Sequence, residues 1–587
     1  MDKRSILAFV LIFIIILAMP SYFKLINPTP TTEPDVTGTS ETIESPAESS
    51  GSADIHTPVK EFKQKFTSVD EQATVFTIET DLYIAKISSM GGGTIKSFIL
   101  KHYNMFREND TTLVELINSE SGSPLIIKFI SINGDSVELN NNFKVSAIIA
   151  KHIENNNILL SGEESAVLTF TLDNVDNTNS IYKSLTFYGD RYTLDIESDL
   201  RNLQREMATN NYDLVWNGGL AYTEPNISDE MRYSKAYALS GGETETFDVK
   251  ANKSGHTNFT GLTSWTAIRT KYFAAAFIPE SECLAYGLSG SSIPISEKNY
   301  YKKFSMSVSL PVESVNRTSL FVGPLDYTTI KNLGADLENI MSLGKILRPI
   351  SKFILWSFIH LRTIIPNYGW VLIVFSFLLK IVLYPLTNKS MQSMKEMQKL
   401  APKIEELKVK FKNDPQKMSA AQMKLYKEHG VNPMGGCLPL LLQMPILIAL
   451  FTVFRTTIEL RHAPFIWWIT DLSAPDTIFT LPFAIPIYGQ YVNVLPVIMA
   501  LSTILQQKMS GSASSSNPQQ KMMMYMMPIM FFFMFNQFPS GLNLYYTLFN
   551  LLTVIQQKYI PTKSKPRKKK SSSLDIFRQI QSKSKRK

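Results

Sequence analysis

The sequence predicts a polytopic α-helical membrane protein that carries a large antiparallel β-sandwich outside the bilayer. Three observations predict it. Apolar residues gather at the N-terminus and again after about residue 350 of the 587. Between those regions, from about Phe62 to Pro324, short alternating segments are separated by Gly, Asn and Asp turns, the pattern of an antiparallel sandwich. Basic residues collect in alternate loops of the apolar part, as the positive-inside rule requires.

In chain order, Met1-Asp-Lys-Arg4 precedes an apolar run from Ile6 to Met19. No clean small-residue cleavage site follows, which favours an uncleaved anchor over a signal peptide. Lys3 and Arg4 place its start in the cytoplasm. Residues 27–58 hold six acids and no Lys or Arg, and are rich in Thr, Ser, Glu and Pro: a disordered tether. Strands follow, among them Val75-Phe-Thr-Ile-Glu-Thr, Leu82-Tyr-Ile-Ala-Lys-Ile, Lys183-Ser-Leu-Thr-Phe-Tyr and Tyr192-Thr-Leu-Asp-Ile-Glu. Residues 331–343 read as helix. Ile350 to Ile365, broken by Lys352, Ser357, His360 and Arg362, reads as a helix lying in the interface rather than a span.

Five further spans are expected at about 369–387, 434–458, 490–508, 522–538 and 541–558, near the length a bilayer needs. With the N-terminal anchor they make six, and both termini fall on the cytoplasmic side. Segment 388–430 carries ten Lys against five acids, and Lys558 to Lys587 carries twelve Lys or Arg against Asp575. The outer loop from Leu460 to Gln490 contains only Arg461 among Lys and Arg. In 388–430, Met391, Met394, Met397, Leu400, Ile404, Leu407 and Phe411 recur at three- and four-residue steps, Asn413-Asp-Pro415 breaks the helix, and Met418, Ala421, Leu425 and Tyr426 mark a second one. Such stripes pack two antiparallel helices, and the same methionines would suit apolar clients.

Lys380 lies inside the apolar run Trp370 to Pro385, where an ammonium costs about 2.5–3.5 kcal/mol on insertion scales and persists where water or a partner meets it. Ser376, Tyr384 and Thr387 share nearly the same helical face. Tyr546, Asn550, Thr553 and Gln557 make a second polar stripe, and Ser502, Gln506 and Gln443 add polar groups to two more spans. Two readings stay open: a wet cationic furrow, or snorkelling of Lys380 combined with ordinary interhelical hydrogen bonds.

No Asp or Glu lies within the expected spans, so a proton relay of carboxylates is not available. There is no GxxxxGK[ST] for a nucleotide and no HExxH. Cys283 and Cys437 fall in regions of opposite character, so neither a disulfide framework nor a Cys/His metal site is expected. No cofactor and no enzymatic activity follow from these residues.

The stretch Asn432-Pro-Met-Gly-Gly-Cys-Leu-Pro-Leu-Leu-Leu-Gln-Met-Pro445, with Leu425-Tyr-Lys-Glu-His-Gly-Val431, Leu383-Tyr-Pro-Leu-Thr387, Leu400-Ala-Pro-Lys403, Glu459-Leu-Arg-His-Ala-Pro-Phe465 and Phe538-Pro-Ser-Gly-Leu-Asn-Leu-Tyr-Tyr546, resembles the YidC family of membrane protein insertases. Gly91-Gly-Gly, Trp265-Thr-Ala-Ile, Lys271-Tyr-Phe273 and Gly323-Pro324 resemble the outer domain of its Gram-negative members. The resemblance implies a five-helix core around a hydrophilic groove and a periplasmic domain similar to carbohydrate-binding supersandwiches. It implies a cell inner membrane location and nascent membrane proteins as clients. The Sec translocon, the ribosome (through the hairpin and basic tail) and membrane lipids are the implied partners. It places Lys380 where the family usually has arginine, which keeps the charge but loses the planar fork of guanidinium. Ser376 and Tyr546 match client-contacting positions.

The expected organisation is therefore an anchor (1–25), a linker (26–60), the β-domain (61–330), a connector with an interfacial helix (331–366), the second span (367–388), a cytoplasmic hairpin (389–430), spans three to six (431–559) and a basic tail (560–587). The client groove is expected at Lys380, Ser376, Tyr384, Gln443, Ser502, Gln506, Tyr546, Asn550 and Thr553. A solute channel or transporter with a sugar-sensing outer domain is the alternative class. An enzyme acting on an outer carbohydrate would need a carboxylate pair that the sequence does not display.

Overall fold

The computed structural model describes residues 72–105, 112–117, 124–173, 180–295, 300–344, 346–411, 414–431, 438–485, 488–509 and 518–559. The expected anchor, linker and basic tail, and the segment Asn432 to Cys437, lie outside them. The chain divides into two compact units. One contains the described residues to Ser342 with Thr456–Ile458, and the other the remainder.

The first unit is built on two large sheets. A six-stranded sheet runs in the order Leu113–Ile117, Thr94–Asn104, Tyr83–Ser88, Val75–Glu79, Asn157–Leu159, Ile153–Glu154. Its pairs are antiparallel apart from Val75–Glu79 beside Asn157–Leu159. The second sheet has fourteen strands. Alternation explains their faces: in Ser165–Asp173 and Ser180–Tyr188 every second side chain is buried, because successive residues point to opposite sides. The strand Ser254–Arg269 pairs with Cys283–Pro294 through its first half and with Phe273–Pro279 through its second, with a register shift between Thr260 and Thr263. The expected strands around Val75, Tyr83, Lys183 and Thr193 are all present.

Gly91-Gly92-Gly93 has a physical reason. All three have positive φ, and a Cβ at Gly93 would stand 2.7 Å from the Phe170 ring, so only glycine suits both the turn and the close approach. Lys183, wholly buried, donates to the Gly91 carbonyl at 3.1 Å and to that of Leu125 at 2.7 Å. Burial pulls its ammonium down to about 7, since the charged form loses its hydration. Two short helices complete the unit, α1 (Ile227–Tyr233) and α2 (Tyr327–Asn332). The helix expected over 331–343 is instead the end of α2 followed by a single 3₁₀ turn, Leu337–Ile340. Gly334, at φ +74°, stops α2 early, as a left-handed residue does.

The second unit is helical: α3 (Arg348–Arg362), α4 (Tyr368–Lys399), α5 (Ala401–Lys410), α6 (Pro415–Glu428), α7 (Leu438–Thr456), α8 (Leu495–Met509), α9 (Pro518–Phe535) and α10 (Ser540–Tyr559). Among the described residues, α4 is the helix long and apolar enough to cross a membrane; the apolar stretches Leu442–Thr456 and Met526–Phe535 are shorter. The core joins Phe358 of α3, Phe375 of α4, Phe454 of α7, Met499 of α8, Phe535 of α9 and Tyr545 of α10. Phe358 meets Phe375 and Phe454 edge-on, with centroids 5.0 and 5.9 Å apart.

Two boundaries differ from expectation. α4 does not end near residue 387 but continues to Lys399, so the first arm of the Lys-rich hairpin begins as an extension of the helix. The arm bends at Leu400, ahead of Pro402 near the start of α5, where proline fits because its missing N–H is not required. Asp414 then caps α6, accepting from Lys417 N at 3.0 Å. The expected span at 490–508 starts at Leu495 instead. Gly489–Asn493 belongs to a two-stranded ribbon with Thr477–Ile485, in what the sequence offered only as an outer loop.

Candidate functional site

Lys380 is buried on α4, with 7% of its surface exposed. Its Nζ donates to Thr553 Oγ1 of α10 at 2.6 Å and lies 4.1 Å from the centre of the Phe549 ring. Helix geometry sets both contacts: Phe549 and Thr553 are one turn apart. Thr553 Oγ1 donates its own proton to the Phe549 carbonyl at 2.6 Å, leaving lone pairs to accept from the ammonium. The ring face supplies a second, electrostatic contact. No carboxylate among the described residues pairs with Lys380.

The same device recurs along α10. Ser502 and Thr503 on α8 each donate to the Met499 carbonyl, at 2.7 and 2.8 Å. Both then accept from Asn550 Nδ2 at 3.0 Å. Thr387 on α4 donates to the Leu383 carbonyl at 2.9 Å and accepts from Gln556 Nε2 at 3.2 Å. Each hydroxyl thus spends its proton on its own helix and presents an acceptor to its neighbour. The result is a polar seam joining α4, α8 and α10, filled by the donors Lys380, Asn550 and Gln556.

The seam brings together Lys380, Thr553, Asn550 and Ser502. Ser376 is buried, but its hydroxyl donates to the Leu372 carbonyl at 2.6 Å. Tyr546 is buried and packs against the rings of Phe531 and Phe535 of α9, with centroids 6.2 and 5.6 Å away. Gln443 is buried on α7, and Gln506 is half-buried on α8. Tyr384 departs from expectation: it is 45% exposed. Each four-residue step overshoots a full turn by roughly 40°, so two steps carry Tyr384 about 80° from Ser376, whereas Thr387 returns to within about 20°. Phe549, Thr503 and Gln556 were missed. Their signal was only positional, one turn from or beside residues already singled out.

Beyond the seam, the far ends of the helices are pinned by a loop. Ser540 N donates to the Ala474 carbonyl at 2.7 Å and Gly541 N to that of Leu472 at 3.0 Å. Ser540 Oγ donates to the Asp471 carbonyl at 2.6 Å. These N–H groups are among those a helix start leaves unpaired. A Cβ at Gly541 would collide with the Phe454 ring. Asp476 caps α8, accepting from Leu495 N at 2.7 Å and Val494 N at 3.0 Å, and it also accepts from Trp468 Nε1 at 3.0 Å. Phe538-Pro-Ser-Gly541 is therefore a docking point for that loop.

Among the described residues there is no group of His, Cys, Asp or Glu that would hold a metal ion. The seam is a set of hydrogen-bond donors, acceptors and one cation, suited to receiving polar or acidic side chains.

Residues 360–569 match the family model described as 60Kd inner membrane protein, and residues 75–357 match the YidC periplasmic domain. Among curated relatives, a membrane protein insertase YidC from Chlorobium luteolum is 37% identical over 524 residues, covering 86% of this chain and 87% of its own. The corresponding protein of Chlorobaculum parvum is 34% identical over 578 residues, covering 95% and 94%. A solved crystal structure of an active YidC insertase with its first transmembrane domain resolved covers 84% of this chain and 94% of its own, at 18% identity and a TM-score of 0.36.

Proposed function

The chain belongs to the YidC family of membrane protein insertases, inner-membrane proteins with a periplasmic domain, and on that premise we propose that it inserts nascent chains through the seam centred on Lys380. Membership favours the insertase over the transporter class. The finer reading is that short hydrophilic flanks cross the bilayer by exchanging water for the seam's hydrogen-bonding groups, which lowers their desolvation cost. Lys380 draws acidic residues of the flank. Release of the client's apolar span into lipid, at about 0.8 kcal/mol per buried CH₂, drives the step without nucleotide hydrolysis.

One observation carries this reading: a cation buried in a polar seam whose partners are a hydroxyl and a ring rather than a carboxylate. A structural ion would be expected to have a counter-charge; this one has none among the described residues, a place that an acidic side chain of the client would fill. Six spans with both termini cytoplasmic, α3 in the interface, and the Lys-rich hairpin and tail meeting the ribosome or the anionic lipid surface complete the proposal, with the Sec translocon as a further partner. Exposed Phe353 and Trp356 on α3 support its interfacial placement, since aromatic side chains favour that depth.

The test is site-specific photocrosslinking to a ribosome-stalled client. A probe at position 546 or 376 should capture the client's span, and a probe at Ile132 in the outer domain should not. Absence of adducts at both positions, with the chain otherwise competent for insertion, would remove this part of the helical unit from the route.

A further inference from the structure

The ribbon Thr477–Ile485 with Gly489–Asn493 has a composition the seam does not explain. From Thr477 to Gln507 there is no charged residue. Phe479 pairs with Val492 and Thr480 with Tyr491, so the rings of Phe479 and Tyr491 stand on opposite faces; Phe479 is 58% exposed, and Ile478, beside a register shift, 57%. Phe483, Ile485 and Tyr491 are exposed as well. Both faces of the ribbon thus present exposed apolar side chains. An isolated two-stranded ribbon is marginal in water.

The ribbon is nonetheless firmly held along its second strand, from the turn at Tyr488 to Asn493. Asn536 Nδ2, beyond the end of α9, donates to the carbonyls of Tyr488 at 3.1 Å and Tyr491 at 2.8 Å. Asn493 Nδ2 donates to the Asn536 carbonyl and to its Oδ1. Tyr488 stacks on Phe532, with ring centroids 5.5 Å apart. The chain then enters α8 directly, whose exposed side chains Val497, Leu501 and Leu505 are apolar too. Exposed apolar side chains thus occur both on the ribbon and on the flank of the helix that follows it.

The geometry points to a lipid-bound ribbon: its two apolar faces lie in the headgroup–acyl boundary of the bilayer leaflet where α8 begins, anchoring the insertase core laterally. The unpaired N–H and C=O groups on its edges exclude the hydrocarbon interior, where they would go unsatisfied, and fix it at the boundary, which tolerates both apolar faces and polar edges. Trp467, 84% exposed and stacked on Trp468 at 5.7 Å, is placed for the same depth, which indole favours. This inference rests on the membrane placement proposed above.

The experiment uses the full chain with Cys283→Ser and Cys437→Ser, reconstituted in phosphatidylcholine–phosphatidylglycerol vesicles. An environment-sensitive fluorophore is attached through Phe483→Cys, and in separate samples through Leu501→Cys and Ile132→Cys. Phe483 should be quenched more by lipids spin-labelled near the headgroup than by those labelled at the chain end, matching a depth of about 5–10 Å. Aqueous iodide should quench it several-fold less than it quenches Ile132. Iodide quenching equal to that at Ile132 would place the ribbon in water and overturn the inference. Shielding from both quenchers would show that a protein surface covers it, with the same consequence. If Leu501 too escapes lipid quenching, the membrane placement fails and this inference with it; lipid quenching at Leu501 alone refutes only the ribbon.

Discussion

Reversing the charge at position 380 separates electrostatic attraction from mere polarity. The Lys380 ammonium stands 2.6 Å from Thr553 Oγ1, and a client carboxylate that displaced this hydroxyl would approach to about 4 Å or less. Two unit charges at 4 Å interact by about 4 kcal/mol at an effective dielectric of about 20. Desolvation of the carboxylate offsets part of that, leaving about 1.5–3 kcal/mol, the range for a hydrogen bond to a charged group. Since about 1.4 kcal/mol is tenfold, Lys380→Glu should slow insertion of an acidic-flanked client roughly 10- to 100-fold. Lys380→Arg should retain most activity. Lys380→Met, which loses the charge without burying a carboxylate against Phe549, should fall with Lys380→Glu for the acidic client. The assay is protease protection in proteoliposomes with two clients that differ only by Asp→Asn in the translocated flank. Equal losses for both clients would show that the charge serves the fold, and wild-type rates for Lys380→Glu would remove it from the mechanism.

Deleting residues 395–425, which takes away the end of α4, all of α5 and most of α6, should abolish insertion in the same assay while the remaining core keeps its helical circular dichroism; normal insertion would make the hairpin dispensable. Gly541→Ala should destabilise the helical unit by about 1–3 kcal/mol, because its Cβ meets the Phe454 ring; an unchanged Tm in detergent would refute the close packing. In the outer domain, the unfolded chain keeps a proton on Lys183 up to its ordinary value of 10.5, whereas the folded chain releases it above about 7. The unfolded state therefore binds more protons across that window, and stability should rise with pH from about 7 to 10.5. Lys183→Met should flatten this rise in denaturant melts followed by tryptophan fluorescence, and a rise that persists in the variant would assign it to other groups.

The β-domain was legible because its strands alternate cleanly; Ser165–Asp173 and Ser180–Tyr188 needed only a period of two. Lys380 was legible because a cation in an apolar run has few bland explanations. The interhelical bonding that the sequence left open as an alternative is present, in the bonds from Asn550 to Ser502 and Thr503. Tyr384 misled because four-residue steps drift around a helix, so a pair of steps that looks aligned on paper ends on another face. The extension of α4 past Thr387 was hidden by the change from apolar to Lys-rich residues, which alters the solvent but not the backbone. The ribbon at 477–493 was invisible for the opposite reason. It has no charged residue and no Asn-Gly turn, and its few polar residues, Thr477, Thr480, Gln490 and Asn493, fall at no regular period.

The loop that docks on Ser540 and Gly541 has a mechanical consequence. The hydrogen bonds from Ser540 and Gly541 to the Asp471, Leu472 and Ala474 carbonyls, the Asp476 cap and the Asn493–Asn536 clasp all act at one extremity of the bundle, whereas Lys380–Thr553 and Gln556–Thr387 are single bonds further along. A bundle riveted at one end and lightly latched at the other can splay only away from the rivet. On the proposed route, such a part would work as a clothes-peg rather than a pore, widening for a guest on one side while the opposite side keeps its seal.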